Sequence, residues 1–397
     1  MQTSEILPLA GIDVAILVGG LGTRLRGVVN DVPKPLAPVL GRPFLYYLLD
    51  MLSLRGARSV TLCSGYMAGF VKQKTGMEWL GMRIRHSVEN EPMGTAGALT
   101  QARDELQSER VLVLNGDTWL EPDFKAFADT AENSDFCIAG AAVPDASRYG
   151  VLECDASGRL ISFSEKNQSG TPGSINAGMY LITQNLLASL PVEPLSLERQ
   201  VLPGLTFEGR VKVFPTGSPF LDIGTPEDYA RAGEFFSDLG IAPHSMFPDS
   251  PPMDKAQSKL GTCAVIFDEA GRILLEQRAD CGWWCLPGGR IDAGETLAQG
   301  AVREAMEETG LEIEITGFLG VFSDPKRRTV RYPDNGDLRQ LVDAVCIARP
   351  TGGQLQASEE SLNLAWFTPA KLPLNTVPPV VEILRAAFAH GKNAILR

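Results

Sequence analysis

The chain reads as an α/β protein in two parts, on three features of its sequence. Short apolar runs alternate with helical patterns from residue 12 to 236. A proline-rich stretch without periodicity follows, and from Leu260 the pattern becomes strand-rich. A length of 397 residues suits two or three domains. The predicted divisions are 1–240, a linker over 241–258 and a second domain over 259–397.

Residues 12–18, IDVAILV, form a run suited to a buried strand of a parallel sheet. Further strands are expected over 60–63, 111–114, 136–142 and 178–181. Helices are expected over 44–54 and 95–106, the latter started by Thr95 or a neighbour. That rhythm predicts a mainly parallel sheet with flanking helices and ligands beyond the carboxyl ends of its strands. The stretch IAPHSMFPDSPPMDKAQSK, 241–259, holds four prolines and marks the linker. Strands are then expected over 263–267, 273–276, 312–322 and 341–348, with helices over 297–309 and 379–390. No internal repeat is present, and no hexapeptide β-helix pattern follows the first domain.

Apolar content of 44% and charged content of 21% are ordinary for a soluble globular protein. A net charge of −12 argues against a nucleic-acid surface. Seven cysteines, irregularly spaced, read as reduced thiols, and Cys281 and Cys285 are too far apart for a C-x-x-C pair. Only His86, His244 and His390 exist, which excludes most histidine metal sites and Ser-His-Asp catalysis. The absence of a membrane-length apolar stretch or signal-peptide pattern leads us to expect a cytoplasmic location and no membrane partner. An oligomer is allowed.

The first strand runs into Gly19-Gly20-Leu21-Gly22-Thr23-Arg24-Leu25. Glycines there let backbone N–H groups approach phosphate oxygens, and Arg24 adds a fixed positive fork. Alone, such a turn is only a tight turn. Pro33-Lys34-Pro35-Leu36 then presents one lysine on a rigid turn. In order follow EPMGTAGA (91–98), VLVLNGD (111–117), SEK (164–166), NAG (176–178) and FLDIGTPEDY (220–229).

These seven patches together resemble the sugar-1-phosphate nucleotidylyltransferases. The resemblance implies a Rossmann-like, mainly parallel sheet with flanking helices, although the glycine spacing is not that of a dinucleotide-binding domain. It implies attack of a sugar-1-phosphate oxygen on the α-phosphorus of a nucleoside triphosphate, with pyrophosphate expelled. Mg²⁺, with Mn²⁺ as the alternative, is implied between Asp117 and Asp222; each follows an apolar strand and can point into a cleft. A strand-terminal Asp otherwise serves as a turn residue. Gly19, Gly20, Gly22 and Thr23 would bind nucleotide, and Arg24 and Lys34 would hold the triphosphate. Lys166 would hold the sugar phosphate, and Glu165 and Asn176 the sugar hydroxyls. Gly94, Thr95 and Gly97 would let backbone approach the base, and Gly150 joins the substrate-binding set. Val18 departs from the family, which more often has Ala before the glycine pair. The patches SRYG (147–150), INAGMYL (175–181) and LSLERQVLP (195–203), together with FLDIGTPEDY, most resemble D-glycero-D-manno-heptose 1-phosphate guanylyltransferases. That favours GTP and the heptose. Mannose- and glucose-1-phosphate enzymes share many of these patches, so few hydrogen bonds decide the sugar.

In the second domain, Gly289–Leu311 reads GRIDAGETLAQGAVREAMEETGL. Glu304, Glu307 and Glu308 stand at i, i+3 and i+4, on one face of a helix. No local neutralisation of the three is expected, so a hard divalent cation is their simplest partner; a solvated acidic face is the alternative. Arg303 can pair with Glu295. The stretch is identified as a Nudix box, G-x5-E-x7-R-E-U-x-E-E-x-G-U, at every fixed position. The resemblance implies an α/β/α sandwich with a mixed sheet that hydrolyses a nucleoside diphosphate linked to another moiety. Glu304, Glu307, Glu308 and the Gly289 carbonyl would hold Mg²⁺ or Mn²⁺, with Glu304 orienting the attacking water and Glu308 also catalytic. Trp283, Trp284 or Phe322 could stack a base or belong to the core. Asn363 stands where the family often has a glutamate, which leaves Glu360 as a substitute base. Residues 323–337, SDPKRRTVRYPDNGD, read as a solvated loop in which Arg327, Arg328 and Arg331 contact phosphate or simply face water.

Two accounts result. In one, the chain is a bifunctional enzyme whose hydrolase acts on a compound other than the nucleotide sugar its first half makes. In the other, the second domain senses a nucleotide without turnover.

Overall fold

A computed structural model describes residues 7–20, 22–25, 27–29, 31–165, 170–243, 245–249, 253–332, 335–389 and 395–396. Two compact units result, Pro8–Asp238 and a second that begins at Leu239.

The first unit is built on a ten-stranded sheet. Its centre sets Arg110–Asn115, Asp13–Leu17, Ser59–Ser64 and Met82–Val88 side by side, all parallel. Ser59–Ser64 is buried at every position, as parallel strands covered on both faces require. Beyond Arg110–Asn115 the sheet turns antiparallel with Gly173–Thr183, then Gly150–Cys154 and Leu160–Glu165. Alternating apolar runs do not report that reversal. Gly173–Thr183 is longer than the expected 178–181 and shifts register between Asn176 and Tyr180. Gly178 lies at the shift with φ +68°, and a Cβ there would lie 2.5 Å from Asn115 Nδ2. Helix Phe44–Leu54 buries every residue except Asp50, which accepts from Arg42 Nη1 and Trp79 Nε1. The helix expected over 95–106 stops early, as Gly94–Gln101 followed by a 3-10 turn, Arg103–Glu105.

The second unit combines a six-stranded mixed sheet with a three-stranded antiparallel one. Gln257–Ile266 runs parallel to Leu338–Gly353, which is antiparallel to Leu311–Phe322. Helix Leu297–Thr309 begins at a Thr296–Gln299 capping box and ends at left-handed Gly310, φ +71°. Its Ala305 packs with Ala264, Ile266, Leu274, Leu311 and Ile313. Part of the proline-rich stretch packs here too: Met246 is buried, its carbonyl accepts from Arg331 N at 2.8 Å, and Phe247 lies 5.6 Å from Trp283.

The solvated loop expected over 323–337 is corrected. Pro325–Arg328 is a short helix and Thr329–Arg331 a strand on Leu338–Gly353. Arg328 is 1% exposed, paired with Asp343 and donating to Pro379 O at 2.9 Å. Arg327 pairs with the buried Glu382 at 3.2 Å. A basic run need not be solvated where carboxylates lie within reach, and here buried Glu382 and half-buried Asp343 do. Phe322, fully buried, and Trp284, T-shaped against Phe367 at 4.9 Å, are core residues. All seven cysteines are free.

Candidate active sites

The parallel strands at the centre of the first unit end together. Leu17 is in register with Asn115, and Gly116 N donates to Leu17 O at 2.9 Å. A Cβ on Gly116 would lie 2.7 Å from Val18 Cγ1, so the valine at 18 is accommodated by the glycine opposite it. Asp117 follows directly. Asp222 ends the short strand Phe220–Asp222, whose partner is Thr118–Leu120, and Ile223 N donates to Asp117 O at 3.0 Å. This pairing brings two carboxylates from distant parts of the sequence to one place.

Lys34 stands between them. It opens the 3-10 turn Lys34–Leu36, its side chain is 8% exposed, and Nζ donates to Asp117 Oδ2 while lying 3.6 Å from Asp222 Oδ1. Asp222 Oδ1 is buried without a hydrogen-bond partner. Burial, and then the charge of Asp117, raise the Asp222 carboxyl above its ordinary range, with Lys34 opposing. Exposed Arg24 lines the same cleft with Gly20, Gly22 and Lys34. A neighbouring recess, sharing Gly20 and Asp117, is lined by Gly19, Glu89, Glu91, Gly94 and Thr95.

Other expected positions hold the site's frame. Gly94 and Gly97 face backbone: a Cβ would lie 2.7 Å from Leu195 O and 2.4 Å from Glu193 O respectively. These glycines therefore let the 193–195 loop close on the helix, and Gly94 also lines the recess. Thr95 Oγ1 donates to Glu198 Oε2 at 2.7 Å, and Glu198 Oε1 accepts from Tyr180 OH at 3.0 Å. Asn176 Nδ2 donates to Tyr180 OH at 2.9 Å and its Oδ1 accepts from Gly178 N at 3.0 Å. Glu198, which sequence reasoning did not single out, thus ties the two motifs together. Gly150 gives room to the Phe163 ring, which a Cβ would approach to 2.5 Å. Arg148 of the same patch pairs with Asp228 at 2.9 Å. Lys166 lies outside the described residues, as do the side chains of Thr23 and Glu165.

In the second unit the expectation that nothing local neutralises the glutamates is corrected. Arg303 donates to Glu295 at 2.8 Å and to Glu304 and Glu307 at 2.9 Å each, because one guanidinium fork spans the leading loop and the helix face. Among the described residues no three acidic, His or Cys side chains stand close enough to hold a metal. Glu304 lies against Gly289, where a Cβ would sit 2.6 Å from its carboxylate, and burial raises its pKa. Glu308 accepts from Gly288 N at 2.8 Å. Its carboxyl is pushed up to about 9 by burial and then by Glu276, a buried acid on strand Ile273–Arg278 that sequence reasoning missed. Glu276 Oε1 accepts from Ser361 Oγ at 2.9 Å, but its buried Oε2 has no donor. Two facing carboxyls with one buried oxygen left without a donor call for a shared proton or a cation.

A nucleotidyl transferase family model matches residues 14–238 and a NUDIX domain model residues 257–387. The chain belongs to the nucleotidyl transferase family. This transferase also carries a NUDIX domain. It is 36% identical over 216 residues to the D-glycero-alpha-D-manno-heptose 1-phosphate guanylyltransferase of Campylobacter jejuni, covering 54% of this chain and 95% of that protein. It is 32% identical over 240 residues to the mannose-1-phosphate guanylyltransferase of Mycobacterium tuberculosis, covering 58% and 66%. The crystal structure of HddC from Yersinia pseudotuberculosis superposes with a TM-score of 0.52 at 38% identity, over 57% of this chain and 99% of that one; HddC has also been solved complexed with GMP-PN. No described helix is long and apolar enough to cross a membrane.

Proposed function

We propose that the first unit transfers a guanylyl group from GTP to a heptose 1-phosphate and that the second hydrolyses a nucleoside diphosphate derivative, both in the cytoplasm. The observation that carries the transferase half is Lys34 set between Asp117 and Asp222, with one buried carboxylate oxygen left without a hydrogen-bond partner. An all-oxygen pair with such an orphan fits Mg²⁺ or Mn²⁺, which would supply positive charge at the phosphates. Two polyanions meet in the reaction. A sugar-phosphate oxygen bonds to the α-phosphorus, the α–β anhydride breaks, and pyrophosphate leaves with the electron pair. In this reading Lys34 and Arg24 bind and orient the triphosphate, and backbone at Gly19, Gly20, Gly22 and Thr23 holds its oxygens. Lys166 binds the sugar phosphate, Glu165, Asn176 and Gly150 border the sugar, and Gly94, Thr95 and Gly97 border the base. The guanylyltransferase relatives support GTP and the heptose.

In the second unit, Glu304, Glu307 and Glu308, which stand too far apart to hold an ion as they lie, would have to close with the Gly289 carbonyl around a cation, which would supply an activated water. The donorless Glu276 Oε2 beside Glu308 supports a cation there. Arg303 locked on Glu304 and Glu307, and Asn363 in place of an acid, favour a second reading in which this unit senses a nucleotide without cleaving it. The test pairs GTP, UTP, CTP, dTTP and ATP with heptose, mannose and glucose 1-phosphates and measures pyrophosphate. GTP with the heptose is expected to be fastest; another base or sugar would overturn the assignment. The isolated 256–397 segment is assayed with Mg²⁺ or Mn²⁺ on a nucleotide panel. Binding without turnover would establish the sensor.

A further inference from the structure

The second unit holds a recess with a cavity volume of about 140 Å³ that opens to solvent. Its wall is apolar, with Leu260, Leu286, Val330, Leu341 and Ile383, while Lys259, Arg290 and Arg339 also border it. Among the described lining residues, Asp343 is the single acid. Arg328 fixes it: the guanidinium, 1% exposed, bonds Asp343 Oδ2 and Pro379 O. Asp343 is in register with Gly261 on the neighbouring strand, where a Cβ would lie 2.7 Å from Asp343 Oδ1. The glycine leaves the second carboxylate oxygen its space. Gly289 links this recess to the box, since it lines the recess and packs against the Glu304 carboxylate.

We propose that this recess takes the guanine base of a guanosine diphosphate derivative, with Asp343 accepting from guanine N1–H and N2–H₂. The proposal rests on the reading of this unit as a nucleoside diphosphate hydrolase. A carboxylate offers acceptors only, so it selects a base edge that presents two adjacent donors. Guanine carries that edge. Adenine and cytosine present a donor beside an acceptor, and uracil a donor flanked by acceptors. A polar site inside an apolar wall rejects the unmatched base strongly, because its buried group is then left unpaired. The basic side chains at Lys259, Arg290 and Arg339 suit the attached diphosphate. Arg328 is a positioning residue, holding Asp343 from behind.

The test uses the full chain with Mg²⁺ and four substrates sharing one sugar: GDP-, ADP-, UDP- and CDP-glucose. A preference of at least about tenfold in kcat/KM for GDP-glucose is expected, falling towards parity in Asp343→Asn. Equal turnover of the four, or preference for another base, would overturn the guanine assignment and leave the hydrolase reading standing. No turnover of any would sink the hydrolase reading instead. Hydrogen exchange on the wild-type chain then decides the base: GDP, and not ADP, is expected to protect residues 338–353. Equal protection, or none, would overturn the site, and this measurement needs no variant to fold.

Discussion

Removing the Lys34 ammonium is the sharpest perturbation of the transferase site. Nζ lies 3.6 Å from Asp222 Oδ1 and bonds Asp117 Oδ2, with the lysine side chain 8% exposed. At an effective dielectric of about 20, a charge pair at that separation is worth roughly 5 kcal/mol before desolvation. Lys34→Ala therefore leaves two neighbouring carboxylates with only the charge of Arg24 and any bound cation to offset them, and takes one positive charge from the triphosphate. Loss of one such preorganised group costs about 10²–10³-fold in kcat. We expect pyrophosphate release to fall by that factor while hydrolysis in the second unit is unchanged. The assay is coupled pyrophosphate detection at saturating GTP and sugar phosphate. A rate within threefold of wild type would refute the placement of Lys34 in the chemistry.

Asp117→Asn should lower transferase rate by a comparable factor and spare the hydrolase, as read by both assays on one preparation. Glu307→Gln should do the reverse, and full hydrolase activity in it would count against a metal role. Glu308 carries a carboxyl raised to about 9 from 4.5, so the folded state holds the extra proton across that window. Stability of the metal-free chain, by denaturant melts in EDTA, should fall as pH rises from 4.5 to 9, and Glu308→Gln should flatten the slope. Gly97→Ala should destabilise the first unit by about 1–3 kcal/mol, because the added methyl would lie 2.4 Å from Glu193 O; an unchanged melting curve would contradict the packing.

Motifs with fixed spacing were the most legible part of the chain. The strand-to-glycine junction after Leu17, the lysine turn at 34 and the box helix 297–309 all form where their residues indicated. Local patterns carry local geometry. They do not carry long-range pairing, which is why the antiparallel flank built on Gly173–Thr183 was invisible. The juxtaposition of Asp117 with Asp222 is implied by the family resemblance alone, and it rests on a three-residue strand pair. Glu276 and Glu198 escaped notice because each is an acid in an apolar or mixed run, meaningful only for what lies across from it. Arg328 misled for the same reason: a basic run looks solvated until Asp343 is folded against it.

The most direct test of the account is a crystal structure of the chain with Mg²⁺ and a non-hydrolysable GTP analogue. We predict a cation ligated by Asp117 and Asp222, with Lys34 turned onto the triphosphate. A nucleotide bound with both aspartates out of reach of any ion, and Lys34 still locked on Asp117, would contradict it.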